Sequence, residues 1–436
     1  MLKRIALIAI LTGAGHLFSI WALKYFSVKL SVSDFTWMGQ ADAILLLIIN
    51  LIAAGLQPAA MRDIALTTNW QPVYQKTQIA RITLALFLSV AAVLFFWKTE
   101  YLLLLTALFV AINGDYALYA VGKPLYAALI ALFRLVLPYF FVFITLYSFP
   151  QFLKQAFFGG IVISFIISSI AIAKLLGQPL FFKPKLKQLK EYITSLYLGI
   201  TTVALYFLGM GLMLVVPYFY LGELAAAIYI GLKFYIILKG LLRILHQVFL
   251  KEMMNATVSK NIDFMGLMVG GAFVFFTLFF PEGFITFFFG SKYNNQKQFF
   301  LLLGLAFLVY SMFSSVTTRA LLFKLDKIYA AVSLFSAFVA LAVTVILSFF
   351  YQNANGTAIG LLLGEFVFAA LMIRALKING EILPRLKLLV KIAVSFVIPL
   401  LILLFGVDNQ NAFLLAAAAF ILSTVVLNYN FFRFIL

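Results

Sequence analysis

The chain has 436 residues, of which 65% are hydrophobic and only 11% are charged. Soluble globular proteins are about half apolar and about a quarter charged, so this chain has too few polar groups to cover a water-soluble fold. The composition excludes a soluble enzyme, a disordered chain and a coiled coil, and it predicts an all-α polytopic membrane protein. Cysteine is absent, which excludes disulfides, thiolate metal sites and a cysteine nucleophile.

The N-terminus imitates a secretory signal, because Lys3 and Arg4 precede an apolar run. That run continues to about Phe26, which is too long for the apolar region of a signal peptide. We therefore expect a first membrane-spanning helix that is retained in the mature protein.

We predict fourteen membrane-spanning helices, with twelve as the alternative, because apolar stretches of about 20 residues alternate with turn-forming residues along the whole chain. The period-2 alternation of a transmembrane barrel is missing, so no strands are expected. The predicted spans are 5–26, 42–61, 79–97, 101–121, 125–147, 152–176, 193–220, 224–250, 264–289, 298–322, 328–350, 356–376, 388–406 and 411–432.

The net charge of +18 suggests either a nucleic-acid partner or the excess of cations that marks cytoplasmic loops. With the N-terminus inside, most of the 32 basic residues fall in cytoplasmic segments. The outer segments hold only Lys24, Lys29, Lys98, Lys154, Lys292 and Lys297. The excess of basic residues therefore reflects the orientation of the helices in the membrane and gives no support to a nucleic-acid partner. We expect a multi-pass protein of the bacterial inner membrane with both termini in the cytoplasm.

A weak internal repeat divides the chain into two halves. The motifs Ala117-Leu118 and Tyr126-Ala127-Ala128 recur 203 residues later as Ala320-Leu321 and Tyr329-Ala330-Ala331. Chance matching of common apolar residues is the alternative, but the equivalent positions favour two six-helix lobes in the same orientation. The predicted domains are a lobe at 1–178, a basic amphipathic linker at 179–192, a lobe at 193–378, and a basic linker with two extra helices at 379–436.

Two motifs suggest a family. The second predicted helix ends in residues 55–65 (GLQPAAMRDIA), and the fourth ends in 113–116 (NGDY), followed by Gly122-Lys123. With the basic linker and the span pattern, they resemble the polysaccharide-transporter branch of the multidrug/oligosaccharidyl-lipid/polysaccharide exporter (MOP) superfamily. Its Wzx-type members flip undecaprenyl-pyrophosphate-linked glycans. Fourteen spans depart from the commoner twelve and are shared with lipid II flippases of the same superfamily.

The resemblance implies a V-shaped pair of six-helix lobes, with helices one, two, seven and eight around a cationic central cavity. The protein would flip a lipid-linked oligosaccharide, such as an O-antigen or other surface polysaccharide repeat unit, by alternating access. The implied partners are this glycan, membrane lipids, a proton or sodium counter-ion and polysaccharide assembly proteins. We expect a monomer without cofactor or metal.

The best head-group candidates lie on the eighth predicted helix. Lys239, Arg243 and His246 are spaced i, i+4 and i+7, which places them on one helical face, and Lys233 lies deeper. Cations at membrane depth are costly and suit a pyrophosphate. The alternative for Arg243 and His246 is that they extend to the inner interface.

The first two helices supply further candidates. His16 and Lys24 are head-group candidates, although His16 could be a packing residue and Lys24 could reach the outer interface. Gln40, Asn50 and Gln57 could contact sugar hydroxyls or could join helices by hydrogen bonds.

Acidic residues at membrane depth complete the candidate set. Asp42 and Glu365 are candidates for ion coupling, and for Glu365 a helix–helix hydrogen bond is the alternative. Asp115 and Arg134 lie at similar depths on consecutive helices, so we predict a structural ion pair.

We do not expect an enzyme, because the outer loops are too short to carry a catalytic domain. There is also no ATP-binding motif. A multidrug exporter is an alternative to the flippase, but exporters of that kind commonly carry an acidic residue on the first helix, where this chain has His16 and Lys24. A non-transporting scaffold would not need cations inside the membrane.

Overall fold

The computed structural model describes residues 2–95, 103–220, 222–249, 253, 255–351, 353–404 and 409–427. Every regular element in these ranges is a helix, which confirms the predicted all-α fold. The α-helices are α1 (Leu2–Lys29), α2 (Val32–Ala53), α3 (Leu56–Leu66), α4 (Gln71–Phe95), α5 (Thr106–Ile112), α6 (Asp115–Ala120), α7 (Pro124–Ser148), α8 (Leu153–Leu176), α9 (Lys190–Thr194), α10 (Leu196–Phe207), α11 (Glu223–Val248), α12 (Ala256–Phe279), α13 (Pro281–Phe288), α14 (Lys297–Met312), α15 (Ser315–Leu322), α16 (Asp326–Phe350), α17 (Asn355–Ala375), α18 (Ile382–Ser395), α19 (Val397–Leu404) and α20 (Asn409–Leu427).

The chain forms two compact units. Residues 3–22 and 30–214 belong to the first unit, and residues 23–29 and 215–436 belong to the second. The C-terminal end of α1 is therefore grouped with the second unit and α10 with the first. The lobe boundaries inferred from the sequence stay a prediction.

Ten helical segments within the described ranges are long and apolar enough to cross a membrane. They are Val32–Ala53, Gln71–Leu94, Leu103–Ala120, Pro124–Ser148, Pro150–Leu176, Glu223–His246, Ala256–Phe279, Ser291–Leu322, Asp326–Phe350 and Asn355–Ala375. An eleventh is the pair Leu196–Phe207 and Met210–Tyr218, bent by 66° within the predicted span 193–220. Parts of the predicted spans 79–97, 101–121, 224–250, 388–406 and 411–432 lie outside the described residues, so the count of fourteen stays a prediction.

Each unit contains a membrane segment that is broken toward its C-terminal end. In the first unit α5 ends at Ile112 and α6 begins at Asp115, and in the second α14 ends at Met312 and α15 begins at Ser315. Gly114 is needed in the first break, because a Cβ there would lie 2.7 Å from Cε2 of Tyr74. A break frees backbone groups that must find partners inside the protein, since lipid offers none.

Stacked phenylalanines fix the C-terminal helices to the second unit. The ring of Phe396 lies 4.1 Å from that of Phe275 on α12 and 4.5 Å from that of Phe420 on α20, and both pairs are nearly parallel. Aromatic pairs add about 0.5–1.5 kcal/mol beyond the area that they bury. α18 and α20 are therefore attached to α12 by packing as well as by the polar groups described below.

Small residues allow α16 and α17 to approach closely. A Cβ at Gly360 would lie 2.6 Å from the carbonyl oxygen of Ala340 and 2.9 Å from the amide nitrogen of Thr344. At Gly356 the nearest such contact is the Cβ of Leu347, at 3.1 Å. This is the close helix contact that small-xxx-small motifs provide in membranes.

Gly360→Ala should lower the free energy of unfolding by about 1–3 kcal/mol, because the methyl group meets backbone rather than a flexible side chain. Gly159→Ala is the matched control, since a Cβ there has no neighbour within 4 Å. Unfolding by denaturing detergent measures both. Equal stability of the two variants would contradict this packing.

Candidate functional site

The centre of the candidate site is a buried ion pair between α11 and α17. Nζ of Lys239 lies 2.6 Å from Oε1 of Glu365, and the hydroxyl of Tyr235 donates a hydrogen bond of 2.7 Å to the same oxygen. The side chain of Glu365 is 2% exposed and that of Lys239 is 14% exposed. Lys239, a candidate for head-group binding, and Glu365, a candidate for ion coupling, are therefore direct partners.

Two aromatic rings surround the ammonium of Lys239. Its Nζ lies 4.3 Å from the ring centroid of Tyr310 on α14 and 4.9 Å from that of Tyr235. The faces of aromatic rings attract cations, by about 2 kcal/mol or more where water is excluded. Lys239 is thus stabilised by the rings as well as by the carboxylate, and the ammonium keeps some favourable contacts whenever the carboxylate is neutralised.

The other candidates on α11 lie in different surroundings. Lys233 is buried, Arg243 is exposed, and His246 is buried with Nε2 3.1 Å from the hydroxyl of Ser314. The four residues lie on one helix as expected, but their side chains differ in burial and in the groups that they contact. Whether they bind a head group stays a prediction.

Asp263 on α12 is the centre of a polar network that the sequence did not reveal. Its carboxylate accepts hydrogen bonds from the amide and hydroxyl of Ser315, at 2.8 and 2.6 Å, and from the hydroxyl of Ser314, at 3.1 Å. Nη2 of Arg385 on α18 lies 2.8 Å from Oδ2, and both side chains are almost completely buried. A carboxylate with this many donors is stable in a buried site.

The network continues into the segment between α17 and α18. Glu381 accepts hydrogen bonds from Arg385, at 2.6 Å, and from Arg319, at 2.9 Å. Burial raises the pKa of Glu381, but the hydrogen bonds and charges of the two arginines outweigh burial and leave the pKa below its ordinary value. With Asp263, two carboxylates face two guanidinium groups, so the network is neutral overall.

In the first unit the break between α5 and α6 is stabilised by two arginines. Arg134 forms an ion pair with Asp115 and donates a hydrogen bond of 3.1 Å to Oδ1 of Asn113. Arg81 on α4 is buried and donates to the carbonyl oxygens of Asn113, at 2.6 Å, and Val110, at 3.0 Å. The structure thus contains the Asp115–Arg134 pair and a buried cation, Arg81.

The two breaks are stabilised by opposite charges, each suited to the helix end that it meets. Arg81 lies at the C-terminal carbonyls of α5, whereas Asp263 lies at the N-terminal amide of α15. Helix C-termini carry a partial negative charge and N-termini a partial positive one. Each buried charge is therefore partly compensated by a helix end.

The candidates on α1 belong to different units, and whether they bind a head group stays a prediction. His16 is partly buried in the first unit. Nζ of Lys24 donates a hydrogen bond of 2.8 Å to the carbonyl oxygen of Phe287 at the C-terminal end of α13. Lys292 similarly donates to the carbonyl oxygen of Ser27, so two lysines attach the end of α1 to the second unit.

The candidates on α2 and α3 are partly or fully buried in the first unit. Asp42 is buried and lies 3.5 Å from the hydroxyl of Tyr139 on α7. The amide of Asn50 donates a hydrogen bond of 2.8 Å to the carbonyl of Leu46 on its own helix. Gln40 and Gln57 are partly buried. Their contacts with sugar stay a prediction.

Within the described ranges, no three His, Asp or Glu side chains are grouped so that they could hold a metal ion. Among the described acidic residues, Asp115, Asp263, Glu365 and Glu381 instead lie against arginine or lysine.

Removing one partner of the Asp263–Arg385 pair should be costly, because the other is left buried and charged. We expect Asp263→Asn to lower the free energy of unfolding by about 3–5 kcal/mol, and Asp263→Asn with Arg385→Met to cost less than the sum of the single changes. The exposed pair Lys297–Glu282, at 2.8 Å, is the control and should contribute about 0–1 kcal/mol. Unfolding by denaturing detergent of the single and double variants of each pair measures the coupling energy of that pair. Equal coupling energies for the two pairs would contradict the cost assigned to burial.

Comparison with solved structures identifies the fold. The chain is similar to the lipid II flippase MurJ in an inward closed conformation, with 14% identity and a TM-score of 0.73 over 98% of this chain and 99% of that one. It is also similar to a multidrug resistance MATE family transporter of the MOP superfamily in an inward-facing conformation, with 16% identity and a TM-score of 0.62 over 85% and 99% of the two chains.

A third similar structure is a MOP superfamily transporter from Pyrococcus furiosus, with 14% identity and a TM-score of 0.52 over 87% of this chain and 95% of that one. No family model matches the sequence, and no curated protein matches it. The chain therefore has the fold of MOP superfamily flippases and exporters.

Proposed function

We propose that the chain is a flippase that moves an undecaprenyl-pyrophosphate-linked oligosaccharide, such as an O-antigen or other surface polysaccharide repeat unit, across the bacterial inner membrane. Both termini would lie in the cytoplasm, and the cycle would be one of alternating access with a cationic cavity. The fold shared with a lipid II flippase over almost the whole chain supports a flippase or exporter. The observation that carries the substrate class is the pair of cations at membrane depth on α11.

Lys233 and Lys239 supply what a pyrophosphate needs away from water. Phosphate oxygens bind strongly to charged donors, and an ammonium is a compact donor with three N–H groups. Lys233 is buried and Lys239 is held between two aromatic rings. A cationic drug, the substrate of the multidrug alternative, would instead be repelled by these lysines.

The pair with Glu365 suggests how binding is coupled to an ion. A pyrophosphate that approaches Lys239 competes with Glu365 for the same ammonium, because the carboxylate already lies 2.6 Å from it. Once deprived of Lys239, a buried carboxylate is costly unless it takes up a proton or another cation. Head-group binding at Lys239 would therefore favour proton or sodium uptake at Glu365.

A lipid II flippase is the second candidate, and the similarity to MurJ favours it. Both substrates are polyprenyl pyrophosphates, so the chemistry proposed for Lys239 and Glu365 is the same. The two functions differ in the sugar, which the partly buried amides of Gln40 and Gln57 are candidates to contact.

Lys233→Gln with Lys239→Gln should abolish export of the surface glycan while the protein still accumulates in the membrane, because the head group loses both cations. The matched control is Lys324→Gln with Lys327→Gln, which removes the same charge from exposed positions around the start of α16 and should leave export normal. Quantitative staining of surface glycan in cells that carry each variant measures the effect. Normal export in the first variant would refute the assignment.

The coupling step is tested by Glu365→Gln in proteoliposomes that contain a fluorescent polyprenyl-pyrophosphate glycan. This change removes the competing charge, so the head group should still bind while the flipping rate loses its dependence on a proton or sodium gradient. Lys239→Gln should instead weaken binding. An unchanged gradient dependence in Glu365→Gln would contradict the coupling and leave the head-group role of the lysines standing.

A further inference from the structure

The segment between α8 and α9 presents both charge and apolar surface. Lys183, Lys185, Lys187 and Lys190 are all exposed. Between and beside them, Leu186 is 67% exposed and Phe181 is 54% exposed. Cations that flank exposed apolar side chains are typical of segments that lie at a membrane surface, where each kind of group has a matching layer of the bilayer.

This segment is held in place against the first unit. The amide of Lys185 donates a hydrogen bond of 3.0 Å to the hydroxyl of Thr83 on α4. Phe182 is buried, with its ring 6.0 Å from that of Tyr74. The lysines therefore project from a fixed backbone, and binding at this surface would cost little ordering entropy.

A cavity of about 420 Å³ adjoins the start of the segment, at the C-terminal end of α8. It is lined by Ile170, Ala173, Lys174, Gly177, Gln178 and Leu180. Its lining therefore combines apolar side chains with the side chains of a lysine and a glutamine. The nearby carbonyl of Leu175 already accepts a hydrogen bond of 2.7 Å from Lys123, so it presents less negative charge to an anion.

We propose that this cavity and the lysines of residues 183–190 form a binding site for an acidic phospholipid of the surrounding bilayer. Lys174 and the neighbouring lysines bind the phosphate, and the acyl chains lie along Ile170 and Leu180. The positive charge of the lysines favours an anionic ligand. The exposed apolar side chains of Leu186 and Phe181 favour a ligand that belongs to the lipid bilayer. The site lies wholly in the first unit and is independent of the proposed transport function.

The test uses the full-length protein in neutral detergent, titrated with phosphatidylglycerol or with phosphatidylcholine while its thermal unfolding midpoint is recorded. A ligand that binds the folded state raises this midpoint. We expect phosphatidylglycerol to raise it and phosphatidylcholine to have a much smaller effect. Glycerol 3-phosphate, which has the head-group charge without the chains, should have no effect at the same concentration.

Changing Lys183, Lys185, Lys187 and Lys190 together to Gln should raise the phosphatidylglycerol concentration for the half-maximal shift by about tenfold or more, since each basic residue near a membrane surface contributes appreciably to binding. The same four changed to Arg should bind like the wild type, which separates loss of charge from loss of folding. The matched control changes Lys260, Lys324, Lys327 and Lys377 to Gln, removes the same total charge from scattered positions, and should retain the response.

The proposal is overturned if the Gln variant of residues 183–190 responds to phosphatidylglycerol as the wild type does. It is equally overturned if the scattered control loses the response to the same degree, because the effect would then come from total charge. A midpoint raised by glycerol 3-phosphate alone would show a simple anion site in place of a lipid site.

Discussion

A charge that lies at membrane depth must be compensated inside the protein, and this constraint accounts for the buried ion pairs in both units. Insertion of one charged side chain costs about 2.5–3.5 kcal/mol even with relaxation of the bilayer. Glu365 is compensated by Lys239, Asp263 by Arg385, and Asp115 by Arg134. Arg81 is compensated differently, by the carbonyl groups at the end of α5.

These contacts fall into two kinds. The Asp263–Arg385 pair is saturated, because the carboxylate also accepts three hydrogen bonds from Ser314 and Ser315, and it joins α12, α15 and α18. In the Lys239–Glu365 pair the carboxylate accepts a hydrogen bond from the hydroxyl of Tyr235, and aromatic rings lie around the ammonium. A saturated pair suits a structural role, whereas in the proposed transport cycle the second pair exchanges its partners for a substrate anion and an incoming cation.

The sequence predicted the features that depend on local pattern. Hydropathy predicted the helical class, and consecutive helices at similar depth predicted the Asp115–Arg134 contact. The pairing of Lys239 with Glu365 was not predictable, because 126 residues separate them and no local signal indicates which helix faces α11. Asp263 and Arg385 were missed for a related reason. Each lies just outside an apolar stretch and looks like an interfacial charge until the break at Ser314 brings them together.

The proposed flippase function requires a polyprenyl pyrophosphate to be the ligand of the cations on α11. Native mass spectrometry of the gently purified protein tests this most directly. It should detect a bound polyprenyl-pyrophosphate glycan in the wild-type protein, and Lys233→Gln with Lys239→Gln should lose this adduct. A wild-type protein that retains only phospholipids when the glycan is present in the membrane would contradict the proposed function.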